Sequence, residues 1–309
     1  MCISKRGNLM IKINLDSAIV ELNAEMKNYS TFGIGGKVLA LIKPRDKQEL
    51  IDAVNECERL KIRYQVIGNG SNILFNSKKK KMIIITTRFM RNEYKINKNI
   101  ITVSAGTMFC EFINYLTKKG FSGLEELYGI PATIGGMVMM NAGAFNKQVF
   151  DYIESVEIFD CGKVDRLHKS QIEYGHHYTN LLKYNKIILS VAFKLESLDK
   201  DVIKSKCRDI ALRRAEKQPK GKSLGSVFRP TKENTPAGLI IDSANLKGMK
   251  VNDAIVSQKH ANFIINLGNA TDKDVKKLIK IIKKEVKEKF NITLEREIEY
   301  IGERNDFYR

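Results

Sequence analysis

Residues 123–144 form a glycine-rich segment that constrains the fold more than any other part of the chain. The segment reads GLEELYGIPATIGGMVMMNAGA and carries almost no charge after Glu126. Glycine occurs this densely where the backbone turns tightly or lies against a bulky group. Paired glycines also leave backbone N–H groups free to bind an anion or a polar ring edge. A surface loop is the simpler alternative, but such loops are usually more polar. The segment therefore predicts a backbone wall around a flat, phosphate-bearing cofactor.

A second glycine cluster follows a short apolar strand predicted at residues 64–67. The cluster, Gly68-Asn69-Gly70-Ser71-Asn72, is a loop whose N–H groups can form a concave anion site. It does not match the dinucleotide fingerprint, because the third glycine is replaced by Ile73 and no long helix follows. Residues 33–36, GIGG, fail the same test. The clusters predict phosphate binding without a Rossmann turn.

Several short motifs occur along the chain in a fixed order. They are NYSTFGIGG (28–36), IGNGSNIL (67–74), GIPATIGG (129–136), MNAGA (140–144), GSVF (225–228), AGLIID (237–242), LKG (246–248), HANF (260–263) and LEREI (294–298). Together they resemble the UDP-N-acetylenolpyruvoylglucosamine reductase family of flavin enzymes, in the form with shorter substrate-domain loops. The resemblance extends over nearly the whole chain, and many motifs in order make it far more specific than any one of them.

The resemblance implies an α+β fold. It predicts an FAD-binding domain of the vanillyl-alcohol-oxidase (PCMH) type at residues 28–197, with subdomains at about 28–87 and 88–197. An N-terminal extension and helix would precede it at residues 1–27. An α+β substrate-binding domain would follow at residues 198–309, and its last strand would return to the active site.

Apolar spacing and turn residues predict the individual elements. Helices are expected at 46–60, 107–120, 199–218 and 272–290, with Thr107 capping the second and with Val202 and Leu212 among the apolar positions of the third. Strands are expected at 38–42, 64–67, 82–86, 100–104, 153–159, 164–167, 187–195, 251–256, 263–265 and 294–301.

The resemblance also implies the chemistry, in which NADPH reduces non-covalently bound FAD and hydride then passes to a UDP-sugar enolpyruvyl substrate. Ser226 matches the proton donor and Glu297 the catalytic glutamate of the family. Lys217, Arg229, His260 and Asn262 would contact the substrate. The cofactor would lie against Ile67, Gly68, Asn69, Gly70, Ser71, Asn72, Gly129, Pro131, Thr133, Ile134, Gly135, Gly136, Asn141, Ala142 and Gly143.

Two of these roles have simpler alternatives in the residues themselves. Ser226 could be an ordinary turn serine after Gly225. In a strand over residues 294–301, alternation would place Glu297 on the face with Glu295 and Glu299, which composition alone assigns to solvent.

His177 is the main departure from the family pattern, because the family's catalytic arginine falls on this position. Histidine is mostly neutral at pH 7, whereas arginine carries a permanent charge. An ionised Glu297 nearby could raise the pKa of His177 and restore a cation. We therefore hypothesise that His177 is a weaker, pH-sensitive substitute, active as pH falls toward about 6. A loop histidine without this role is the alternative.

The net charge of +18 raises the possibility of a polyanionic partner. No nucleic-acid-binding motif accompanies the lysines, and those of residues 273–289 form the polar face of an amphipathic helix. We therefore expect attraction of nucleotides rather than dedicated nucleic-acid binding. Five scattered cysteines and no metal-ligand spacing predict free thiols and no metal. We also expect a cytoplasmic monomer that does not bind membranes.

Three other functions remain open. The chain could be a flavin-binding protein whose catalysis is lost or altered because His177 replaces the arginine. It could be a flavin oxidase of the same fold with another substrate, although the motifs around Ser226 and His260 argue against that. Steeply salt-dependent nucleic-acid binding by a colourless protein would indicate a basic nucleic-acid-binding protein.

Overall fold

The computed structural model describes residues 2–5, 9–12, 15, 18–78, 80–183, 186–231 and 233–301. The helices in these residues are α1 (Lys47–Arg59), α2 (Phe109–Lys119), α3 (Ile134–Met139), α4 (Asn180–Lys183), α5 (Lys200–Lys217), α6 (Ala237–Ser243) and α7 (Asp272–Phe290). Short 3-10 helices lie at Met26–Tyr29, Thr87–Phe89, Glu125–Leu127, Val149–Asp151 and Lys169–Gln171.

The strands are mostly short. They are β1 (Cys2–Lys5), β2 (Leu9–Lys12), β3 (Ile19–Leu22), β4 (Ala40–Lys43), β5 (Tyr64–Ile67), β6 (Ile73–Leu74), β7 (Ile83–Thr86), β8 (Tyr94–Asn97), β9 (Ile100–Ser104), β10 (Phe121–Ser122), β11 (Gly143–Ala144), β12 (Lys147–Gln148), β13 (Ile153–Asp160), β14 (Lys163–His168), β15 (Tyr174–Gly175), β16 (Tyr178–Thr179), β17 (Ile187–Lys194), β18 (Glu196–Ser197), β19 (Lys250–Val251), β20 (Ala254–Val256), β21 (Ile264–Asn266) and β22 (Glu299–Tyr300).

The first unit is a four-stranded sheet in the order β3-β4-β7-β5. Strands β4, β7 and β5 are parallel, and β3 pairs with β4 in the antiparallel direction. Every residue of β7 is buried, as expected for a central parallel strand covered on both faces. Asp46 caps α1 through a 3.0 Å hydrogen bond from the Glu49 N–H, which confirms the predicted start of this helix.

The second unit is a five-stranded antiparallel sheet in the order β14-β13-β17-β9-β8. The strands predicted at 153–159 and 164–167 form the antiparallel pair β13 and β14. Helix α2 ends at Gly120 with a left-handed φ of 74°, as predicted. Thr107 does not cap it, because Met108 occupies the N-cap and the buried Thr107 hydroxyl lies 3.0 Å from Ser104 Oγ.

The third unit packs α6 and α7 on the antiparallel sheet β19-β20-β21. Helix α7 has the predicted bounds, and its lysines lie outside the buried stripe of Val275, Leu278, Ile282 and Val286. Strand β22 leaves this unit and pairs in parallel with β6 of the first. Because β6 directly follows the Gly68–Asn72 loop, this pairing brings the end of the described chain beside that loop.

Several predictions about these units are wrong. The described part of residues 1–27 contains β1, β2 and β3 but no α-helix, while residues 1, 6–8, 13, 14, 16 and 17 lie outside the described residues. The last strand is shorter than residues 294–301, because only Glu299–Tyr300 pair as a strand.

Helix α5 also differs from its prediction. Val202 and Leu212 are exposed, and the buried face is formed by Ile203, Cys207 and Ile210. Ile203 and Cys207 pack in the core of the second unit, although the predicted boundary assigned residues 198–309 to the substrate-binding domain.

Candidate active site

A cavity of about 600 Å³ lies where the three units meet. It contains most of the residues predicted for cofactor binding and catalysis. Those that line it are Ile67, Gly68, Asn69, Gly70, Ser71, Asn72, Gly129, Pro131, Thr133, Gly135, Gly136, Ala142, Gly143, His177, Ser226 and Glu297. The structure thus brings together segments that are more than two hundred residues apart in the sequence.

One wall of the cavity, which we call the glycine wall, consists of residues 68–72 and 129–136. The two segments are joined by a 2.7 Å hydrogen bond from Asn69 Nδ2 to the Pro131 carbonyl. A Cβ on Gly68 would lie 2.3 Å from Thr133 Oγ1. Gly70 has a φ of 65°, and a Cβ there would lie 2.3 Å from the Tyr29 carbonyl oxygen. Only glycine allows the backbone to approach this closely at both positions.

Helix α3 continues the glycine wall. The Thr133 hydroxyl accepts a 3.3 Å hydrogen bond from the Gly136 N–H and caps the helix. The Gly135 N–H donates to the Ala105 carbonyl at 2.8 Å, which fixes the helix against the second sheet. Ile134 was predicted to contact the cofactor. In the structure it is fully buried and does not line the cavity.

Asn141 supports a neighbouring turn instead of lining the cavity. Its buried side chain donates to the Gly175 carbonyl at 2.7 Å and to Gln148 Oε1 at 2.9 Å. Gly175 ends β15, and the two-residue turn that follows places His177 in the left-handed region with a φ of 52°. Thr179 holds the other strand of this hairpin through a 2.7 Å hydrogen bond from its hydroxyl to the Met139 carbonyl.

A second part of the cavity lining, which we call the side-chain wall, consists of Ser226, Glu297 and His177. Ser226 follows Gly225, whose φ is 77°, and forms a β-bridge with Phe263. The Glu297 N–H donates to the Val227 carbonyl at 2.8 Å, so the segments that carry Ser226 and Glu297 lie side by side.

Asn262 and His260 support the side-chain wall from behind and do not line the cavity. Asn262 is buried, and its side chain bonds both the N–H and the carbonyl of Phe228, at 3.0 and 2.8 Å. His260 Nδ1 accepts from the Asn262 N–H at 3.2 Å, and its ring packs on Phe263. Both were predicted to contact the substrate, and these hydrogen bonds hold the segment that carries Ser226. Lys217 is exposed at the end of α5 and also lies outside the cavity lining.

Glu297 and His177 form a buried pair. His177 Nδ1 lies 3.2 Å from Glu297 Oε1, and only 18% and 14% of the two side chains are exposed. Burial raises the pKa of Glu297 to about 7, against a smaller opposing effect of Arg229. Burial, followed by the charges of His176 and Arg229, lowers the pKa of His177 to about 4. Between these values the pair holds one proton and no net charge.

The condition for the hypothesised effect of Glu297 on His177 is not met below about pH 7, because burial keeps Glu297 protonated. The hypothesis was that Glu297, if ionised, could raise the pKa of His177 and restore a cation. In the folded protein both groups are buried, which penalises their charged forms. Glu297 retains its proton up to about pH 7, and His177 stays neutral above about pH 4.

Arg229 lies beside the pair, in an adjoining cavity of about 610 Å³. The adjoining cavity is also lined by His176, Thr231 and Asn291. Arg229 Nε is buried and has no hydrogen-bond partner among the described residues. Arg229 was predicted to contact the substrate, and the structure places it next to the side-chain wall but outside the lining of the main cavity.

Arg214 lines the main cavity and was missed by the sequence analysis. Its Nε and Nη2 atoms are buried without a hydrogen-bond partner in the described part of the chain, and its guanidinium lies 5.5 Å from the Phe145 ring. Burial lowers its pKa. The sequence does contain a signal for this residue, because Arg214 continues the helical spacing of the buried positions Ile203, Cys207 and Ile210 on α5. An arginine on the buried face of a helix indicates an anionic partner.

Comparisons with known proteins agree with this geometry. Residues 217–301 match the C-terminal domain of UDP-N-acetylenolpyruvoylglucosamine reductase, and residues 38–164 match an FAD binding domain. The chain is 36% identical to the UDP-N-acetylenolpyruvoylglucosamine reductase of Clostridium novyi, over 97% of each chain. It is 37% identical to that of Fusobacterium nucleatum, over 89% of this chain and 97% of the relative.

A solved structure is similar in fold as well. The UDP-N-acetylenolpyruvylglucosamine reductase of Thermus caldophilus superimposes with a TM-score of 0.76 at 32% identity, over 92% of this chain and 98% of that one. These similarities confirm the predicted fold class, and the family uses FAD and NADPH. No helix in the described residues is long and apolar enough to cross a membrane. The chain belongs to the UDP-N-acetylenolpyruvoylglucosamine reductase family and is an FAD-dependent oxidoreductase.

Proposed function

We propose that this protein catalyses the NADPH-dependent reduction of UDP-N-acetylglucosamine enolpyruvate to UDP-N-acetylmuramate, a step of peptidoglycan precursor synthesis. The observation that carries the proposal is one cavity that is lined both by the glycine wall and by Ser226, Glu297 and His177. The names of the relatives support the choice of substrate.

FAD fits the residues of the cavity. The glycine wall lines the cavity with backbone, and the unpaired guanidinium of Arg214 offers a partner for an anionic part of the cofactor. Residues 67–72, 129–136, 142 and 143 would hold it. When bound, FAD accepts hydride from NADPH and supplies it to the terminal carbon of the enolpyruvyl double bond.

Ser226 then has the role of proton donor. Hydride addition at the terminal carbon leaves negative charge on the adjacent carbon and its carboxylate, and a proton must quench it. A serine hydroxyl is a weak acid, but it can protonate so basic a carbon when the hydroxyl is held within a site. Asn262 and Phe263 hold the Ser226 segment through backbone and side-chain contacts, which supports this assignment.

Glu297 acts as a hydrogen-bond donor in this proposal. Its pKa of about 7 means that it is a carboxylic acid over much of the neutral range. A neutral carboxylic acid can donate a hydrogen bond to the substrate carboxylate and stabilise charge that develops there. The neutral imidazole of His177 holds the Glu297 side chain at 3.2 Å and keeps the pair uncharged before substrate binds.

The remaining partners follow from the same proposal. The excess of positive charge attracts the polyanionic substrate and NADPH. The main cavity contains residues from all three units of one chain, so a monomer suffices for the reaction. We propose neither nucleic-acid nor membrane binding.

A second candidate is a flavin-binding protein with altered catalysis. The observation in its favour is the low pKa of His177, which leaves position 177 without positive charge at neutral pH. Such a protein would bind FAD but would not reduce the enolpyruvyl sugar nucleotide.

One experiment separates the two candidates. The purified protein, loaded with FAD, is reduced with NADPH under anaerobic conditions and mixed with UDP-N-acetylglucosamine enolpyruvate. Loss of the visible flavin absorbance followed by its recovery, with UDP-N-acetylmuramate as the product, supports the reductase. Loss without recovery contradicts it and favours the second candidate. UDP-N-acetylglucosamine, which lacks the enolpyruvyl group, is the matched control and should restore nothing.

A further inference from the structure

We infer that Arg229 supplies the positive charge for the anion that develops beside Ser226. The inference rests on the proposed function and adds to it the cation that the reaction needs. Hydride addition makes a substrate that already carries a carboxylate more negative at its reacting carbon. A site that stabilises such charge places a fixed positive group near it.

The side-chain wall contains no cation of its own. His177 is neutral above about pH 4, and Glu297 adds negative charge when it ionises. Arg214 and Lys186 also line the main cavity, so either could in principle supply the charge. Lys186, however, is paired with Asp160, and the guanidinium of Arg214 lies against the Phe145 ring.

Arg229 is the cation whose field reaches the side-chain wall. It lines the same cavity as His176, and after the larger effect of burial its charge lowers the pKa of His176, His177 and Glu297. Arg229 lies three residues after Ser226, and its N–H donates to the Glu295 carbonyl at 2.9 Å. The backbone of Arg229 is therefore fixed between the two segments that carry Ser226 and Glu297.

The guanidinium has no structural partner that explains its position. Its Nε is buried and unbonded, and Arg229 forms no ion pair within the described part of the chain, although Glu233 and Glu295 line the same adjoining cavity. A partly buried charge without a partner is costly for stability, and such groups cluster at functional sites. Because Arg229 lies outside the lining of the main cavity, it is a positioning residue that acts through its field and through Glu297.

The test compares charge removal, charge retention and charge relocation. Arg229→Gln removes the charge, Arg229→Lys keeps it, and His177→Arg moves a cation into the side-chain wall. Arg208→Gln, on the exposed face of α5, removes the same charge elsewhere. Each FAD-loaded variant is reduced with NADPH, and its reoxidation by the enolpyruvyl sugar nucleotide is followed.

We expect reoxidation to slow about 100-fold in Arg229→Gln and to change little in Arg229→Lys and Arg208→Gln. In the His177→Arg background, the same Arg229→Gln substitution should cost less than about 10-fold, because the relocated cation replaces it. Reduction by NADPH should be unchanged in all variants. Equal reoxidation rates in Arg229→Gln and the unmodified protein would overturn the inference. So would an Arg229→Gln substitution that slows reoxidation by the same factor in the His177→Arg protein as in the unmodified protein.

A second readout does not depend on activity. The chain has four histidines, so the His177 imidazole can be assigned and titrated by NMR in the FAD-loaded protein. Loss of a neighbouring positive charge should raise the pKa of His177 in Arg229→Gln and leave it unchanged in Arg229→Lys. An unchanged pKa in both variants contradicts the inference. If the unmodified protein is reduced by NADPH but is not reoxidised, the proposed function itself fails.

Discussion

The two walls of the main cavity differ in the chemical groups that they present: one presents backbone and the other presents side chains. The glycine wall offers backbone, and its shape depends on the absence of side chains at Gly68 and Gly70. The side-chain wall offers a hydroxyl, a carboxyl and an imidazole, held by backbone hydrogen bonds between distant segments. Substitutions in the glycine wall should therefore weaken cofactor binding. Substitutions in the side-chain wall should leave FAD bound but slow the reaction.

The largest effect is expected from Gly70→Ala. The new Cβ would meet the Tyr29 carbonyl at 2.3 Å in a backbone of φ 65°. Strain of this kind costs about 1–3 kcal/mol, and the overlap adds to it. We expect a lower melting temperature and little bound flavin. Gly162→Ala is the matched control, since its φ is 78° but nothing lies within 4 Å. Equal losses in the two variants would show that close approach at Gly70 is unimportant.

Arg214→Gln sharpens the assignment of the cofactor to the glycine wall. A hydrogen bond to a charged group contributes about 1.5–3 kcal/mol, so flavin affinity should fall by about 10- to 100-fold. The dissociation constant of FAD, measured with the apoprotein, checks this. Arg213→Gln removes an exposed neighbour on α5 and should have no effect. Unchanged affinity in Arg214→Gln would mean that its guanidinium does not bind the cofactor.

Glu297 should determine how the second half-reaction depends on pH. Burial raises its pKa to about 7, so the proton is present below that pH and is lost above it. If the protonated form is the active one, the reoxidation rate should fall by up to about tenfold for each pH unit above 7. Glu297→Gln keeps a hydrogen-bond donor that does not titrate. It should be slower at about pH 6 and should lose this dependence. If the reoxidation rate of Glu297→Gln still falls above about pH 7, a group other than Glu297 is responsible.

The smallest effect is expected from His177→Arg. A permanent cation in the side-chain wall should raise the reoxidation rate at about pH 8, where Glu297 is ionised, but only by about threefold if Arg229 already supplies a charge. His168→Arg adds the same charge at an exposed position and serves as the control. A gain in the control as large as in the variant would mean that net charge, not position 177, limits the rate.

The sequence predicted the residues that line the cavity better than the roles of those that support it, for a physical reason. Glycine spacing reports a local backbone requirement, and the residues of the Gly68–Asn72 loop all line the cavity. The local signals of α7 also suffice, because its capping residue Thr271 and apolar stripe lie within one segment. The roles of His260 and Asn262 depend on which segments pack together, and motif matching placed their side chains in the cavity when they support it from behind.

Burial explains the other differences between sequence and structure. The pKa of Glu297 is raised by burial in the folded protein, which no spacing in residues 294–298 reveals. Val202 and Leu212 are apolar but exposed, while Arg214 lies on the buried face of the same helix. The apolar positions of α5 therefore lie on more than one face of the helix, and only some of them are buried. The position of Ile203 and Cys207 in the core of the second unit could be found only from tertiary packing.

Ser226→Ala gives the most direct test of the division between the two walls. The variant and the unmodified protein are loaded with FAD, and three quantities are measured: the flavin-to-protein ratio, the rate of reduction by NADPH, and the rate of reoxidation by the enolpyruvyl sugar nucleotide. We expect the first two to be unchanged and the third to fall about 10²- to 10⁴-fold, as for loss of a positioned proton donor. Reoxidation at the unmodified rate would contradict the assignment of the chemistry to the side-chain wall.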